Sequence, residues 1–253
     1  MKRWIWWTLS GTMALGLIIF TVVQQKSRRC QGVLVQLDEQ AAYSFFSETD
    51  IKNLATLNGS DDFEDILFEK INLQTVENRI LANRLIKNCR AYRDLSGHLV
   101  LAIEQQNPIG RLIGYSSSEQ LLTSSKGGYL TETGAIVPLS KHFAARVTLV
   151  SGDFFKNSNN IKSANGLKIV EMLRQIQKEP LWKAQITELI VQPDGEITLI
   201  PQIGNYKIEF GLADDIEPKF NKLRIFYNTI LPLKGWERYA RVSVKFKNQV
   251  VCE

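Results

Sequence analysis

The chain opens on an unbroken apolar run. From Trp4 to Val23 about 20 positions carry no charge, enough for roughly 30 Å of helix and one crossing of a hydrocarbon core. Leu15, Leu17, Ile18, Ile19 and Phe20 make up its most apolar stretch, and Trp4, Trp6 and Trp7 gather at the other end, where indole rings favour the boundary between lipid and water. The spacing predicts a single transmembrane helix over 4–23 that serves as a membrane anchor. A cleaved signal peptide would have a shorter apolar core and a small-residue cleavage site, and no A-x-A-like site follows here. Lys2 and Arg3 on one flank nearly balance Lys26, Arg28 and Arg29 on the other, so the charge rule alone leaves the orientation open. With the amino terminus inside, residues 1–3 form a short cytoplasmic tail and all function lies outside.

Past Arg29 the pattern changes to short periodic segments. Gly32 to Asp38 alternates, with Val33, Val35 and Leu37 on one face, and reads as a strand. Ser47 before Glu48, Thr49, Asp50, Ile51 and Leu54 reads as the N-cap of a helix with an acidic first turn. A second helix begins near Asn72, where Leu73, Val76 and Ile80 recur at helical spacing and Leu85 and Ile86 continue the apolar side. Two extended runs between Cys89 and Glu104 meet around Ser96 and Gly97, a hairpin with Leu99, Leu101 and Ile103 on one face. Asn107 and Pro108 close this unit. The Ser- and Gly-rich segment from Tyr115 to Gly128 reads as a surface loop.

The second unit is expected to open with Tyr129 to Leu139, turning at Thr133 and Gly134, and to continue through Arg146 to Val150. Leu167, Val170, Leu173 and Ile176 mark a helix stopped by Pro180. Strands flank the turn at Pro193, Asp194 and Gly195, and another carries Tyr206, Ile208 and Phe210. A helix with Ile216, Phe220, Leu223, Tyr227 and Ile230 on one side ends at Pro232 and Gly235. The last strand sets Val242, Val244 and Phe246 against Arg241, Ser243, Lys245 and Lys247.

Composition and charge narrow the function. With 44% apolar and 23% charged residues the chain is ordinary globular material. Its net charge of +5 is spread among acidic residues and forms no long basic stripe, which argues against nucleic acid as a partner. Cys30, Cys89 and Cys252 lie far apart, with no C-x-x-C pair, and suggest neither a metal site nor a disulfide framework. Cys89 is expected to be a buried thiol, whereas Cys30 and Cys252 are free to be exposed. His98 and His142 have no second histidine at ligand spacing. No S-x-x-K, G-x-S-x-G, H-E-x-x-H, Walker or G-x-G-x-x-G signature occurs. The carboxylate pairs Asp61 with Asp62 and Asp214 with Asp215 could suggest a glycosidase acid and base, but both sit beside predicted helix starts, where they favour the helix dipole. Nothing requires a cofactor.

Taken in order, Gly32 to Asp38 and the run Phe45, Phe46, Ser47, Glu48, Thr49, Asp50, Ile51 resemble the start of an FtsQ-type POTRA domain. Asn83, Ile86, Tyr92, Asp94, Gly97, Leu99, Ile103, Asn107 and Pro108 are similar to its helix-then-hairpin pattern. The segments Tyr129 to Gly134, Val137 to Ser140 and Ala145 to Val147 resemble the entry to the family's β domain, and Lys245 to Val251 its terminal strand. The resemblance to FtsQ/DivIB proteins covers nearly the whole chain. It implies an α+β protein with a single N-terminal transmembrane helix, a POTRA domain of β-α-α-β-β order over 30–106, and a mixed β domain with helices over 107–253.

The same resemblance implies a bitopic, non-enzymatic division protein without cofactors, lying in the inner membrane at the septum. Its amino terminus would be cytoplasmic and its folded domains periplasmic. Its β domain would bind FtsB-like and FtsL-like partners, link early to late division proteins and regulate septal peptidoglycan synthesis. The POTRA domain would contact other membrane division proteins. Many relatives carry a longer cytoplasmic tail than residues 1–3 provide, and Ser116 to Ser125 looks like an insertion. Two other readings differ in what they demand. An exported wall hydrolase needs a pocket of converging titratable groups, and a POTRA-type assembly chaperone normally carries repeated units or a barrel.

For the partner site, the terminal strand from about Tyr239 to Cys252 is expected at a sheet edge, where it would accept a partner strand by β-augmentation. Tyr239, Arg241, Val242, Ser243, Val244, Lys245, Phe246 and Lys247 are its candidate contacts, with Arg241, Ser243, Lys245 and Lys247 facing the partner's polar or acidic side chains. The helix from Ile216 to Ile230 would form one wall. Lysines on an edge strand also serve simply to block aggregation, and the residues alone leave both uses open.

Overall fold

The computed structural model describes residues 11–16, 29–38, 43–113, 127–140 and 143–253. Of the expected anchor only 11–16 fall among these; they are helical, and Leu15 is exposed. Trp4, Trp6, Trp7, Leu17, Ile18, Ile19 and Phe20 lie outside the described residues. Among the described residues no helix is long and apolar enough to cross a membrane. The chain divides into two compact units, Met1–Gln106 and Asn107–Glu253.

The first unit runs β1 (Val33–Leu37), α1 (Glu48–Ala55), α2 (Leu73–Leu81), β2 (Ile86–Arg93), β3 (Leu99–Gln105). Its sheet has the order β1-β3-β2, with β1 parallel and β2 antiparallel to β3. Ser47 starts α1 through a capping box: its hydroxyl accepts the Asp50 amide at 3.2 Å, and the Asp50 carboxylate accepts the Ser47 amide at 2.8 Å. Asn72 caps α2 by accepting from the Thr75 amide at 3.1 Å. Ile51, Ala55, Val76 and Ile80 from the helices pack on Cys89, Ala91, Leu99, Leu101 and Ile103. Leu85 and Ile86 do not prolong the helix. The Asn83 side chain takes the Leu85 amide at 3.1 Å and turns the chain, so that Ile86 begins β2. Cys30 is buried rather than exposed, because backbone pairing of Cys30 with Ile66 and Asp65 draws it into the core.

The second unit is one sheet of nine strands: β4 (Pro108–Ile113), β5 (Gly127–Thr131), β6 (Ile136–Val137), β7 (Thr148–Ser151), β8 (Ile186–Val191), β9 (Ile197–Pro201), β10 (Lys207–Gly211), β11 (Arg241–Ser243) and β12 (Val251–Cys252). They lie in the order β12-β11-β10-β9-β8-β7-β4-β5-β6. The helices α3 (Ala164–Lys178), α4 (Pro180–Gln185) and α5 (Ile216–Ile225) supply much of the core. Trp182 is fully buried at its centre, with its ring 4.9 Å from Phe220 and 6.0 Å from Tyr227.

Pro108 opens β4 instead of closing the first unit, since a strand's first residue can do without its amide. The bulge between Pro108 and Gly110 breaks the alternation that would have marked this strand. A side chain at Gly110 would lie 2.8 Å from Val150 Cγ2, so the glycine permits close packing there. The expected loop over Tyr115 to Gly128 falls mostly outside the described residues, and Gly127 and Gly128 belong to β5.

Leu167 is exposed, because it sits about 200° around α3 from Ile169, which with Leu173 and Ile176 forms the buried stripe. Pro180 starts α4 rather than merely stopping α3, at the helix position where its missing amide costs nothing. Pro232 does not end the last helix. Past α5 the backbone widens into a π turn, Phe226–Ile230, where the Leu231 amide donates to the Phe226 carbonyl. The helix then resumes as α6 (Leu231–Lys234) until Gly235 at φ 95°.

Candidate functional site

An antiparallel ladder alternates residues whose backbone groups face the neighbour with residues whose groups face away, so the outermost strand of a sheet declares which amides another strand could use. In the first unit β2 is such a strand. Asp94 donates to the His98 carbonyl, which by alternation turns the amides of Cys89 and Ala91 outward. Both are occupied: Cys89 donates to Asn88 Oδ1 at 3.0 Å and Ala91 to Glu77 Oε1 at 2.8 Å. Burial, then the nearby Glu77 charge, pushes the Cys89 thiol up to about 11, as befits an inert core cysteine. The opposite strand β1 bonds β3 through Gly32, Asp38 and the even positions between, which leaves the backbone groups of Val33, Val35 and Leu37 facing outward along the sheet edge while their side chains pack on the core.

The nine-stranded sheet ends in β6 and β12. At β6 the Thr131 amide donates to Ala135, so Ile136 faces outward, and the next outward position is Pro138, which has no amide to offer. At β12, Arg241 and Glu253 exchange both backbone hydrogen bonds, at 3.0 and 2.8 Å. The pair Val242 with Cys252 is therefore the open kind, and the Cys252 amide and carbonyl point away from the sheet.

The expected strand over Tyr239 to Cys252 is thus two strands and a reversal. Arg241–Ser243 is held on both sides, parallel to β10 and antiparallel to β12, and is not an edge. Val242, Ser243 and Val244 are buried. Ser243 is covered by its ladder neighbours Glu209 and Val251, so it does not present a side chain to a partner. Tyr239 packs its ring 6.0 Å from Phe226. Lys245, Phe246 and Lys247 are exposed and belong to the reversal, which turns at Asn248 with φ 59°. Sequence reasoning missed Val251 and Cys252 as the true edge. Asn248, a residue that tolerates the left-handed region, ahead of the pair Val250 and Val251 was the available sign of a hairpin.

Charged side chains tie the edge down. Arg241 reaches Glu209 at 3.0 Å and Glu253 at 2.5 Å, spanning three adjacent chain segments, and Lys245 lies 3.7 Å from Glu209. Burial would raise the Glu209 carboxyl, but its hydrogen bond to Arg241 and the charges of Arg241 and Lys245 outweigh this and hold it below the usual range. From α5, Lys222 donates to the carbonyls of Val244 and Phe246, at 2.5 and 2.6 Å.

The carboxylate pairs are engaged structurally. Asp61 pairs with Arg79 at 2.6 Å and Asp62 accepts the Glu64 amide, both in the turn after α1 rather than at a helix start. Asp214 pairs with the buried Lys219, and Asp215 occupies the residue before α5. His98 Nδ1 lies 3.4 Å from Asp94, and His142 lies outside the described residues. Cys30, Cys89 and Cys252 are free thiols, the last half-buried.

Comparison with known families gives two matches. Residues 28–104 match the POTRA-like domain, and residues 119–253 match the family described as FtsQ/DivIB, C-terminal related. No curated protein matches the chain. With its β-α-α-β-β unit followed by the nine-stranded β unit, and with more than half its length covered by the second match, this chain belongs to the FtsQ/DivIB family.

Proposed function

We propose that this protein is a non-enzymatic, membrane-anchored division protein whose C-terminal sheet edge takes up a strand from an FtsB-like partner, alone or together with an FtsL-like one. The observation that carries this reading is the state of the β12 edge: Cys252 keeps an outward amide and carbonyl there, whereas at the other end of the nine-stranded sheet the outward Ile136 is followed by Pro138, which has no donor with which to extend a ladder. Membership of the FtsQ/DivIB family supports a role in cell division. The uncharged run from Trp4 to Val23 supports a single-pass position in the inner membrane, with the folded units on the periplasmic side. There the protein would link early and late division proteins and regulate septal peptidoglycan synthesis. In the POTRA-like unit the outward residues of β1 would receive a further membrane division protein, because the corresponding amides of β2 are capped by Asn88 and Glu77.

The test is a titration of the full chain in lipid nanodiscs with the soluble part of the FtsB-like partner, with and without the FtsL-like one. Saturable binding that Cys252→Pro removes supports the edge mechanism, since proline deletes the outward donor. Undiminished binding by the variant moves the site elsewhere, and no binding by the wild type to either form defeats the partner assignment.

A further inference from the structure

A strand of two residues contributes few backbone bonds, so β12 depends on what holds its ends. Its far end is secured by the ladder bonds and the side-chain pair between Arg241 and Glu253. Its near end follows the reversal after Val244, whose amide still donates to the Glu209 carbonyl at 3.0 Å; from Lys245 to Val250 the chain lies beyond the ladder. We infer that Lys222 is a positioning residue for the partner-binding edge: its ammonium, donating to the carbonyls of Val244 and Phe246, shapes this reversal and so fixes where β12 lies. The inference rests on the strand-uptake reading of β12 for its functional meaning, though not for the local geometry.

Three features make Lys222 suited to this. Its two acceptors sit on alternate residues, so one ammonium defines the path of three. It projects from α5, where Phe220, Leu223 and the following Phe226 are buried in the core, so the helix that carries it is firmly seated. Burial, and then the neighbouring Lys219, lower its pKa, as expected of an ammonium drawn from water toward backbone acceptors. Lys219, one turn earlier, does the equivalent for another segment by donating to the Leu212 carbonyl at 2.9 Å and pairing with Asp214. Of these two lysines of α5, Lys222 is the one whose bonds reach the edge hairpin.

The experiment compares the full chain in nanodiscs as wild type, Lys222→Met and Lys222→Arg by amide hydrogen exchange. The amides of Val251 and Glu253 face β11 and report the seating of β12. In Lys222→Met their exchange is expected to accelerate by about tenfold or more, the scale of losing charged hydrogen bonds, while β8 and β9 stay protected. Lys222→Arg, which retains the charge and donors, should restore most of the protection. Unchanged exchange at β12 overturns the inference, and so does a loss spread over the whole unit or a variant that fails to fold, either of which assigns Lys222 to general stability. Titration of the same samples with the soluble FtsB-like segment separates the two ideas. Local loosening with weakened binding supports both, whereas local loosening in a protein whose wild type does not bind leaves the positioning role standing and defeats the partner reading.

Discussion

The two ends of the nine-stranded sheet meet the same hazard in different ways. Both finish in strands of two residues, Ile136–Val137 and Val251–Cys252, and brevity alone discourages indiscriminate pairing. At the β6 end the chain adds a proline at the next outward position. At the β12 end it instead invests in fastening: Arg241 on Glu209 and Glu253, and Lys222 on two carbonyls. If the β12 edge takes up a strand as proposed, this fastening leaves less ordering to be done on binding.

The comparison breaks most severely if the core beneath the β12 end is removed. Phe226 contacts the rings of Tyr206, Tyr227 and Tyr239 at 5.7, 5.8 and 6.0 Å, and Phe226→Ala is expected to cost about 3–5 kcal/mol in denaturant unfolding, with partner binding lost as well. Cys252→Pro should leave the melting curve close to wild type yet weaken partner binding by about tenfold or more, the effect of deleting a buried interfacial donor. Arg241→Ala should be milder, about fivefold or less, because its ion pairs are solvent-exposed; calorimetric titration reads both. The reciprocal control at the other end, Pro138→Ala, is expected to leave binding unchanged while slightly raising self-association in sedimentation, since it returns a donor to an outward position.

Acid gives a finer test of the fastening. The Glu209 pKa is lowered in the folded state, so its stabilising contribution is complete above the ordinary glutamate value of about 4.3 and disappears only as the pH falls through the lower folded value. Exchange protection at Glu253, followed from neutral to acid pH, should therefore persist below the ordinary carboxylate range in the wild type. In Glu209→Gln the acid-sensitive part of that protection should be absent.

The POTRA-like unit was legible because its segments obey local rules: Ser47 and Asp50 fit a capping box, Asn72 a cap, and Leu99, Leu101 and Ile103 a one-faced strand. Where side chains compete with the backbone, as Asn83 does after α2, periodicity overran the true boundary. In the β unit the misses share another cause. A glycine and a bulge concealed β4, a helix-opening proline resembled a stop at Pro180, and alternation from Val242 to Phe246 continued past the point where β11 ends. The candidate contacts fall in the terminal hairpin, of which only the second strand, Val251–Cys252, lies at the sheet edge. A period of two specifies which residues share a face, while the number of neighbours a strand has depends on residues far away, here Lys207 to Glu209.

The π turn at Phe226–Ile230 carries a consequence for sequence change. It accommodates one residue more than an α-helical turn would, which lets the adjacent Phe226 and Tyr227 both be buried. Deleting a residue inside that turn would return the segment to ordinary α-helix and leave the flanking faces aligned. The same deletion in α3 would rotate everything beyond it by about 100° and expose the buried stripe. Length variation among helices of this unit should therefore gather at the turn.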